Sequence, residues 1–497
     1  MLFARRATPS QCRALDDLRM AGGSGAGRAW SISTRCYRVK PAISTKQIFK
    51  TSLEKTLEAH RIANRASLIR PIYDHNSPSL GVYRPPLFPH LQEIQKPPLP
   101  KSKTKTPKTK KPKLENQTPK PARRVSISVQ GGDGVAQHPW LDLVQRKDEN
   151  SIPRLDAEIT ALAEFIQPSY EENLVIARIV HQISEQVSGV VPRPPQLVGS
   201  RSTQTAFSSS GIDLMVRVGD ENPSASGQRT LNPTSSKIFA GILQRVEAAV
   251  RDIPDYDEVR ILPAKSPTLV MTHKTSGLPI NIFCGNKLPS ADEYIKTSLA
   301  GTPSLQPLYM VLRAILESRN IFGWETASVG SYGLILLVAS FLKQQNTQFQ
   351  QKGLGEQLLD ILDLYGSKLN LRTTGVAVEP AEFFDFASVR HKYETRSSPR
   401  SDPVLVGQRA LLRFKANARK KSNFPAAKHL CIQDPTNYLN DVGLQCTRTT
   451  ELRKILCSVS IDLQLAVKRW DGERSILSQV LHANFEEFGR IRTSLTV

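Results

Sequence analysis

The sequence predicts an α+β protein in which a small module of strands and helices precedes a mostly helical module. Three observations lead to this prediction. Apolar and polar residues alternate over Ile212–Val218, with the two-residue period of a half-buried strand. Further short strand-like segments follow at 258–262, 268–272 and 278–284. Beyond residue 305, apolar residues instead recur with the 3.6-residue period of an α-helix.

The first module begins with helices and reaches its strands after a proline-rich break. Apolar residues at helical spacing predict one helix beginning near Leu155 and another over Asn173–Val187. A short strand at 197–198 follows the prolines and ends at Gly199-Ser200. After the alternating strand, a further helix is predicted over Lys237–Asp252.

The second module is predicted to be a set of helices separated by polar loops. Their apolar residues repeat at helical spacing over Leu305–Leu316, Gly333–Leu342, Leu354–Leu364, Glu451–Val467 and Ile476–Phe488. The longest apolar run, Leu334–Leu342, is shorter than the roughly 20 residues that cross a bilayer, so a buried helix is expected. Arg409–Lys428 is basic and contains no acid. We expect a solvated loop there, with an RNA-facing arm as the alternative.

The net charge of +22 is concentrated in the N-terminal part of the chain. Residues 1–124 contain 26 Lys and Arg against 7 Asp and Glu, whereas residues 125–497 contain 41 against 38. The basic character therefore says little about the folded part. Residues 95–124 consist mainly of Lys, Pro and Thr, which predicts an extended tether. It is either a plain linker or a salt-dependent contact to RNA phosphates.

The first forty residues have the composition of a mitochondrial transit peptide. They are rich in Arg, Ser and Ala, contain only Asp16 and Asp17 as acids, and lack the apolar segment of a secretory signal. The six cysteines show no zinc spacing and are expected to be reduced thiols. We therefore expect a transit peptide at residues 1–40, a disordered basic extension at 41–150, folded modules at 151–300 and 301–497, and a location in the mitochondrial matrix.

The turn and strand around residues 199–213 carry a pattern suited to nucleotidyl transfer. Transfer by two metal ions uses two carboxylates at i and i+2 of one strand and a third on a neighbouring strand. A Gly-Ser turn beside them supplies N–H and hydroxyl donors for a triphosphate. Gly199-Ser200 is such a turn, and Asp213 stands at the i+2 position.

The segment from Gly199-Ser200 to Ile212-Asp213-Leu214 resembles the signature of the template-independent poly(A)/poly(U) RNA polymerases, which are DNA polymerase β-like nucleotidyltransferases. The resemblance runs collinearly from about Leu155 to about Trp470. Four further motifs carry it: Thr302-Pro303, Gly330-Ser331-Tyr332-Gly333, Gly353–Gly366 and Ile432–Asp441. It implies a nucleotidyltransferase palm with a mixed β-sheet over 151–300, and a mostly helical central and PAP-associated domain over 301–497.

The same resemblance implies ligands and partners. Mg²⁺ or Mn²⁺ would be the metal, ATP or UTP the nucleotide and RNA the substrate, with mitochondrial RNA-processing or ribosome-assembly proteins as candidate partners. It assigns nucleotide binding to seven residues: Gly199, Ser200, Arg313, Ser331, Tyr332, Asn440 and Asp441. Arg313 stands where the family commonly has a triphosphate-binding Lys, whereas Glu317 has the wrong sign for phosphate. The alternatives are a packing role for Tyr332 and an Asx-type turn at Asn440-Asp441.

The catalytic positions depart from the family's pattern. Gly211 stands where the family has its first strand carboxylate, and Asn281 stands where the third is expected. Glycine supplies no ligand and an amide carries no charge, so Asp213 is the sole carboxylate retained and the one candidate metal ligand. Each loss of about 1.4 kcal/mol in transition-state stabilisation slows a reaction tenfold. Activity by the family's mechanism is therefore not expected.

Three functions agree with these observations. The first is a catalytically impaired protein that keeps the polymerase fold for RNA binding in 3′-end processing or assembly, which the lost carboxylates favour. The second is an active polynucleotide adenylyltransferase or uridylyltransferase. The third is a nucleotide-binding regulatory subunit. His181, His273 and His429 lie apart in the sequence, are expected to have no carboxylate partner, and are assigned no catalytic role.

Overall fold

The computed structural model describes residues 128–129, 138–144, 150–218, 233–262, 266–286, 289–345 and 352–496. The predicted transit peptide and most of the predicted basic extension lie outside the described residues. Within the described part, a five-stranded sheet and many helices confirm the α+β class. No helix in this part is both long and apolar enough to cross a bilayer.

The sheet is formed by the first half of the described chain. The elements there are β1 (Ser128–Val129), α1 (Ser151–Ile166), α2 (Tyr170–Val187), β2 (Gln196–Val198), β3 (Ile212–Arg217), α3 (Pro233–Val250), β4 (Tyr256–Leu262), β5 (Thr268–His273), β6 (Pro279–Gly285) and α4 (Ser290–Gly301). The order in the sheet is β2-β3-β6-β5-β4, with β3 parallel to β6 and the other neighbours antiparallel. The sheet is therefore mixed, as expected.

The rest of the described chain is mostly helical. The elements there are α5 (Leu305–Glu317), α6 (Ser331–Gln344), α7 (Leu354–Asp363), β7 (Gly375–Val378), β8 (Ala381–Phe384), α8 (Phe386–Thr395), α9 (Pro403–Lys420), α10 (Phe424–Ala427), β9 (Gln433–Asp434), β10 (Asn437–Asp441), α11 (Thr449–Lys468), α12 (Ser478–Leu481), β11 (Ala483–Asn484) and α13 (Glu486–Thr496). The hairpins β7–β8 and β9–β10 interrupt the helices.

Two large apolar cores organise these elements. The larger one joins α1 to α5, α6, α7 and α11, so the first helix packs with the helical part. The other lies between the sheet and α2, α3 and α13, and it brings the C-terminal helix back to the sheet. Helix α5 is buried on nearly all sides and supports the loop between β2 and β3.

The buried carboxylate of Glu172 connects the loop between β2 and β3 to helices near both ends of the described chain. Glu172 Oε2 accepts hydrogen bonds from the Ser169 backbone N–H at 2.7 Å and from the Ser208 hydroxyl at 2.8 Å. Its other oxygen accepts from Arg492 Nε at 2.8 Å. Ser169 in turn accepts from the Glu172 backbone N–H, which completes a capping box at the start of α2. The loop is thus fixed to α2 and to α13.

The prediction of one helix over Ile476–Phe488 is wrong. Its apolar residues are buried at the predicted spacing, but the segment forms α12, β11 and the start of α13. His482 has a left-handed backbone with φ of +42°, which ends α12, and β11 pairs with β1. Local periodicity cannot reveal a partner strand that lies near the other end of the described chain.

The basic stretch Arg409–Lys428 is also different from the expected loop. Most of it belongs to α9, which Asp402 caps by accepting from the Leu405 N–H at 3.2 Å, with Pro403 in the first turn. Lys415 is buried and donates to the His429 carbonyl oxygen at 2.5 Å. The Asp-Pro start was a usable helix signal, but the many cations obscured the apolar period that follows it.

Part of the range predicted to be a disordered extension packs on the larger core. Pro139–Leu143 form a 3₁₀ helix in which Trp140 is 1% exposed. The Trp140 ring meets Phe485 edge-on with centroids 5.5 Å apart. Phe485 meets Phe165 and Phe488 in the same way. This aromatic cluster anchors the segment before α1 to the C-terminal region.

Candidate active site

The Gly199-Ser200 turn lies beside the carboxylate that the sequence singled out. Gly199 has a left-handed backbone with φ of +73°, which favours glycine. A Cβ at this position would lie 3.0 Å from Asp213 Oδ2. The Thr203 and Thr205 backbone N–H groups donate to the Gly199 and Ser200 carbonyl oxygens at 3.1 and 2.9 Å. The predicted turn and the predicted carboxylate therefore form one site.

Asp213 and Asn281 face each other across the parallel strands β3 and β6. They are direct neighbours in the register of these strands. The Asn281 Nδ2 donates a hydrogen bond to Asp213 Oδ1 at 2.8 Å. At the position where the family resemblance implies a third carboxylate, the chain therefore presents an amide N–H to the one carboxylate that remains.

Burial is the main reason why the pKa of Asp213 lies above its ordinary value. The hydrogen bond from Asn281 and the charge of Arg201 lower this pKa in part, and the charge of Asp292 raises it further. Ionised Asp213 is therefore less favourable in the folded protein than in the unfolded chain, because its neighbours do not fully offset the cost of removing its charge from water.

We expect Asp213→Asn to raise the free energy of unfolding at pH 7. A raised folded-state pKa means that folding favours the protonated carboxyl, so its stabilisation is complete below the ordinary pKa of 3.8 and is lost as the pH rises through the folded-state pKa. A difference of one unit between the two pKa values corresponds to about 1.4 kcal/mol. Urea denaturation of both proteins between pH 7 and pH 4 measures the difference. The gain should shrink toward pH 4, and a variant less stable than wild type at pH 7 would contradict the prediction.

Gly211 has no space for the carboxylate that the resemblance expects there. A Cβ on Gly211 would lie 2.9 Å from the Pro279 carbonyl oxygen and 3.2 Å from Pro279 Cγ. Pro279 begins β6, so the obstacle includes the backbone of the neighbouring strand. An aspartate at position 211 would require β6 to move.

A half-buried arginine that the sequence analysis did not single out follows the turn directly. Arg201 donates to the carbonyl oxygens of Ser208 at 3.0 Å and Gly211 at 3.1 Å. Burial lowers its pKa to about 10, against the opposing effects of the Glu172 and Asp213 charges. Arg201 is thus a fixed positive charge near Asp213, and its place directly after Gly-Ser was the available signal.

A second carboxylate that sequence reasoning missed reaches the turn from α4. The Asp292 Oδ2 accepts hydrogen bonds from the Gly199 backbone N–H at 2.9 Å and from the Ser202 hydroxyl at 2.8 Å. No spacing rule connects residue 292 with the turn, since the contact depends on how α4 leaves the sheet.

Arg313 is placed differently from the predicted triphosphate contact. Its guanidinium forms a buried ion pair with Glu317 at 2.9 Å and lies 3.8 Å over the Phe207 ring. It also donates to the Thr205 carbonyl oxygen at 3.2 Å and to the Ser210 hydroxyl at 3.0 Å. Arg313 therefore holds the loop between β2 and β3 onto α5, which favours a structural role over phosphate binding.

Tyr332 and Asn440 are brought together by a buried aspartate. The Tyr332 hydroxyl donates to Asp434 Oδ1 at 2.9 Å, and Asn440 Nδ2 donates to Asp434 Oδ2 at 2.7 Å. Burial and the nearby charge of Asp434 raise the pKa of Tyr332. Ser331, which precedes Tyr332, is the half-buried first residue of α6. Two of the predicted nucleotide-binding residues thus share one cluster.

Asp441 belongs to a separate network. Its Oδ2 is hydrogen-bonded to His429 Nε2 at 2.7 Å, and its Oδ1 accepts from the Ile432 and Gly443 N–H groups at 3.0 Å each. The expectation that the three histidines have no carboxylate partner is therefore wrong for His429, and also for His181, whose Nε2 lies 3.3 Å from Glu185 Oε1. With these contacts Asp441 shapes the loop after β10, which favours the turn-forming alternative over base recognition.

The residues around Asp213 do not fit a two-metal centre. Across the described ranges, no group of three or more His, Cys, Asp or Glu side chains is arranged to hold a metal ion. At the two positions beside Asp213, one residue is glycine and the other offers an amide N–H. Divalent hard cations need several oxygen ligands, of which this motif supplies one carboxylate.

Sequence comparisons find poly(A) RNA polymerases as relatives, although no family model matches the chain. Poly(A) RNA polymerase protein 2 of Saccharomyces cerevisiae is 26% identical over 238 residues, 46% of this chain and 38% of that protein. Poly(A) RNA polymerase CID14 of Cryptococcus neoformans is 23% identical over 256 residues, 50% of this chain and 32% of that protein. The inactive non-canonical poly(A) RNA polymerase protein Trf4-2 of Drosophila melanogaster is 25% identical over 319 residues, 61% of this chain and 67% of that protein. The match to the first two spans well under half of their own length.

A solved structure shares the fold. The polymerase core of TRAMP, an RNA surveillance complex, matches with a TM-score of 0.53 and 20% identity, over 69% of this chain and 99% of that chain. The mixed sheet followed by helices is therefore the architecture of a polymerase core. With the sequence matches, this makes the chain a distant homologue of the non-canonical poly(A) RNA polymerases.

Proposed function

We propose that this distant homologue of the non-canonical poly(A) RNA polymerases is an RNA-binding protein that has lost efficient nucleotidyl transfer. It acts in RNA 3′-end processing or assembly by holding RNA rather than by extending it. The observation that carries the proposal is the hydrogen bond from Asn281 to Asp213, because it puts an amide donor where the mechanism requires an anionic metal ligand.

The surroundings of that hydrogen bond support the loss of activity. Asp213 is paired with an amide donor and not with a second carboxylate, so its Oδ1 receives a hydrogen bond where the mechanism would have a metal ion shared between anionic ligands. Pro279 occupies the space beside Gly211 that a further carboxylate would need. The fixed positive charge near Asp213 is that of Arg201, which points to a site adapted to the absence of a cation.

A second candidate is an active adenylyltransferase or uridylyltransferase. The juxtaposition of the Gly199-Ser200 turn with Asp213 favours it, since the incoming triphosphate requires that arrangement. A nucleotide-binding regulatory subunit receives less support, because the ion pair with Glu317 already engages Arg313.

Residues 409–428, here called the basic arm, form the surface that supports RNA binding. The arm contains no acid, and its exposed cations are Arg413, Arg419, Lys420, Lys421 and Lys428. Phe414 and Phe424 are exposed beside them, by 49% and 53%. Cations neutralise phosphates and exposed rings stack on bases, a combination found where proteins hold single-stranded RNA.

Removing two charges from the basic arm is expected to weaken binding of single-stranded RNA and to reduce its salt dependence. For Arg413→Gln/Lys421→Gln, the slope of log K against log salt should fall by about 1.4, since each neutralised phosphate of a single strand contributes about 0.7. Fluorescence anisotropy of the full chain with a labelled oligoribonucleotide at several salt concentrations measures this slope.

The matched control removes two exposed charges elsewhere. Arg474 and Arg490 have side chains that are 83% and 74% exposed. The N-terminal extension is present in every variant, so any RNA binding by it is the same in both double variants and the comparison between them is decisive. Arg474→Gln/Arg490→Gln should leave the slope unchanged. Equal slopes for the two double variants would contradict a role for the basic arm.

We also propose that the protein functions in mitochondria. The support is compositional: the first forty residues are rich in arginine and poor in acids. Residues 1–40 fused to a fluorescent protein should direct it to mitochondria. A diffuse reporter would contradict this location while leaving the RNA-binding proposal intact.

A further inference from the structure

The first N–H of the Gly199-Ser200 turn is already engaged by an anion of the chain itself. The Asp292 Oδ2 accepts from the Gly199 N–H at 2.9 Å and from the Ser202 hydroxyl at 2.8 Å. A carboxylate oxygen that receives two such donors resembles a phosphate oxygen in charge and in hydrogen bonding. The turn thus has an intramolecular occupant.

That occupant is a strong competitor for a phosphate. Asp292 is held on α4, which begins at Ser290 and packs against α5 and α6, so little ordering entropy is lost when it reaches the turn. A triphosphate would have to take the Gly199 N–H from a carboxylate that is always present. An external ligand loses translational and rotational entropy when it binds, whereas the Asp292 carboxylate, which is already attached to the chain, does not.

Charge adds to the exclusion. Asp213 Oδ2 lies 3.0 Å from where a Cβ of Gly199 would be, so carboxylates flank the same glycine on two sides. The two are close enough for the charge of Asp292 to raise the pKa of Asp213. Arg201, whose charge acts on Asp213, is turned toward main-chain carbonyl oxygens, among them that of Ser208. A further anion at the turn would therefore meet two carboxylates.

We propose that Asp292 is a specificity-determining residue, which occupies the phosphate position of the Gly199-Ser200 turn and excludes nucleoside triphosphates from the site. This inference rests on the proposed function for the view that the turn descends from a triphosphate site. The inference adds that the site no longer binds a nucleotide, in addition to the proposed loss of metal binding. The protein would then bind RNA without regard to ATP or UTP.

The test uses inorganic tripolyphosphate, which lacks a base and a sugar, so that contacts to those groups do not contribute to binding. The readout is the melting temperature of the full chain, because only a ligand bound to the native fold raises it, whereas binding to the N-terminal extension does not. At a tripolyphosphate concentration near ten times the Kd of Asp292→Ala, this variant should gain about 2–4 °C more than wild type, because any binding to the basic arm is common to both proteins. Glu293→Ala is the matched control, since it removes an exposed carboxylate from the next position of α4.

Asp292→Asn keeps an acceptor for the Gly199 N–H and removes the charge, so it should fold even where the alanine variant does not. We expect it to gain a smaller shift than Asp292→Ala. A tripolyphosphate shift in wild type equal to that in either Asp292 variant, or no shift in both variants, would overturn the inference. RNA extension by wild-type protein, a separate assay, would instead remove the proposed function.

Discussion

Replacing Arg313 by methionine is expected to lower the free energy of unfolding by about 3–5 kcal/mol, the usual cost of removing one member of a buried ion pair. The Glu317 side chain is 7% exposed, so its carboxylate would remain buried after the guanidinium is removed. The Thr205 carbonyl oxygen and the Ser210 hydroxyl would also lose a donor. Chemical denaturation followed by circular dichroism measures the change.

Arg390→Met provides the matched control. Arg390 pairs with Glu394 at the same i,i+4 spacing, but the two side chains are 80% and 61% exposed. That substitution should cost about 0–1 kcal/mol. The double variant Arg313→Met/Glu317→Leu should be more stable than Arg313→Met alone, because it leaves no buried carboxylate. A cost for Arg313→Met no larger than the control's would show that Arg313 is not the loop's anchor.

Trp140→Ala is expected to destabilise the fold by about 3–5 kcal/mol, as large-to-small substitutions of buried aromatic residues do. Trp140 lies near the start of the described chain and is 1% exposed. It packs on Phe485, which lies near the end of the described chain. The loss would therefore appear as a lower denaturation midpoint of the whole folded part. It would also release the C-terminal segment that this ring covers.

Trp324→Ala is the control for this prediction, since Trp324 is 59% exposed. It should change stability by less than about 0.5 kcal/mol, as surface substitutions usually do. If both tryptophan variants melt alike, the segment at 138–144 does not belong to the cooperative fold. It would then be part of the extension, as composition alone predicted.

The parts of the site that the sequence reveals are those defined by local patterns. The alternation over Ile212–Val218 identifies β3, and the Gly-Ser pair identifies the turn, because each is a feature of consecutive residues. The structure places the two side by side. The partnership of Asp213 with Asn281 required in addition that β3 and β6 be parallel neighbours, which only the family resemblance supplied.

The parts that the sequence conceals depend on contacts between distant segments. The contact of Asp292 with the Gly199 N–H is set by the path of α4, and the β1–β11 pair joins strands more than 350 residues apart in the sequence. Arg313 is a different case. Glu317 lies four residues further on the same helix, a spacing that favours an ion pair, so the sequence alone is sufficient to predict that Arg313 pairs with Glu317.

The same contacts explain why one substitution would not restore a catalytic site. Asn281→Asp would place two carboxylates opposite each other in a buried pair, which raises at least one pKa. Gly211→Asp would in addition have to displace Pro279 at the start of β6. Asp292 would still occupy the turn. On the proposed account, the missing ligands, the missing space beside Gly211 and the occupation of the turn by Asp292 each oppose catalysis at this site.

Primer extension tests the central claim most directly. The full chain is incubated with a 5′-labelled oligoribonucleotide, ATP or UTP, and Mg²⁺ or Mn²⁺, beside the Asp213→Ala variant. Because the site retains one of the three carboxylates that two-metal transfer uses, we expect wild type to add no nucleotides beyond the level of the variant. Extension of the primer by wild type that disappears in Asp213→Ala would contradict the account.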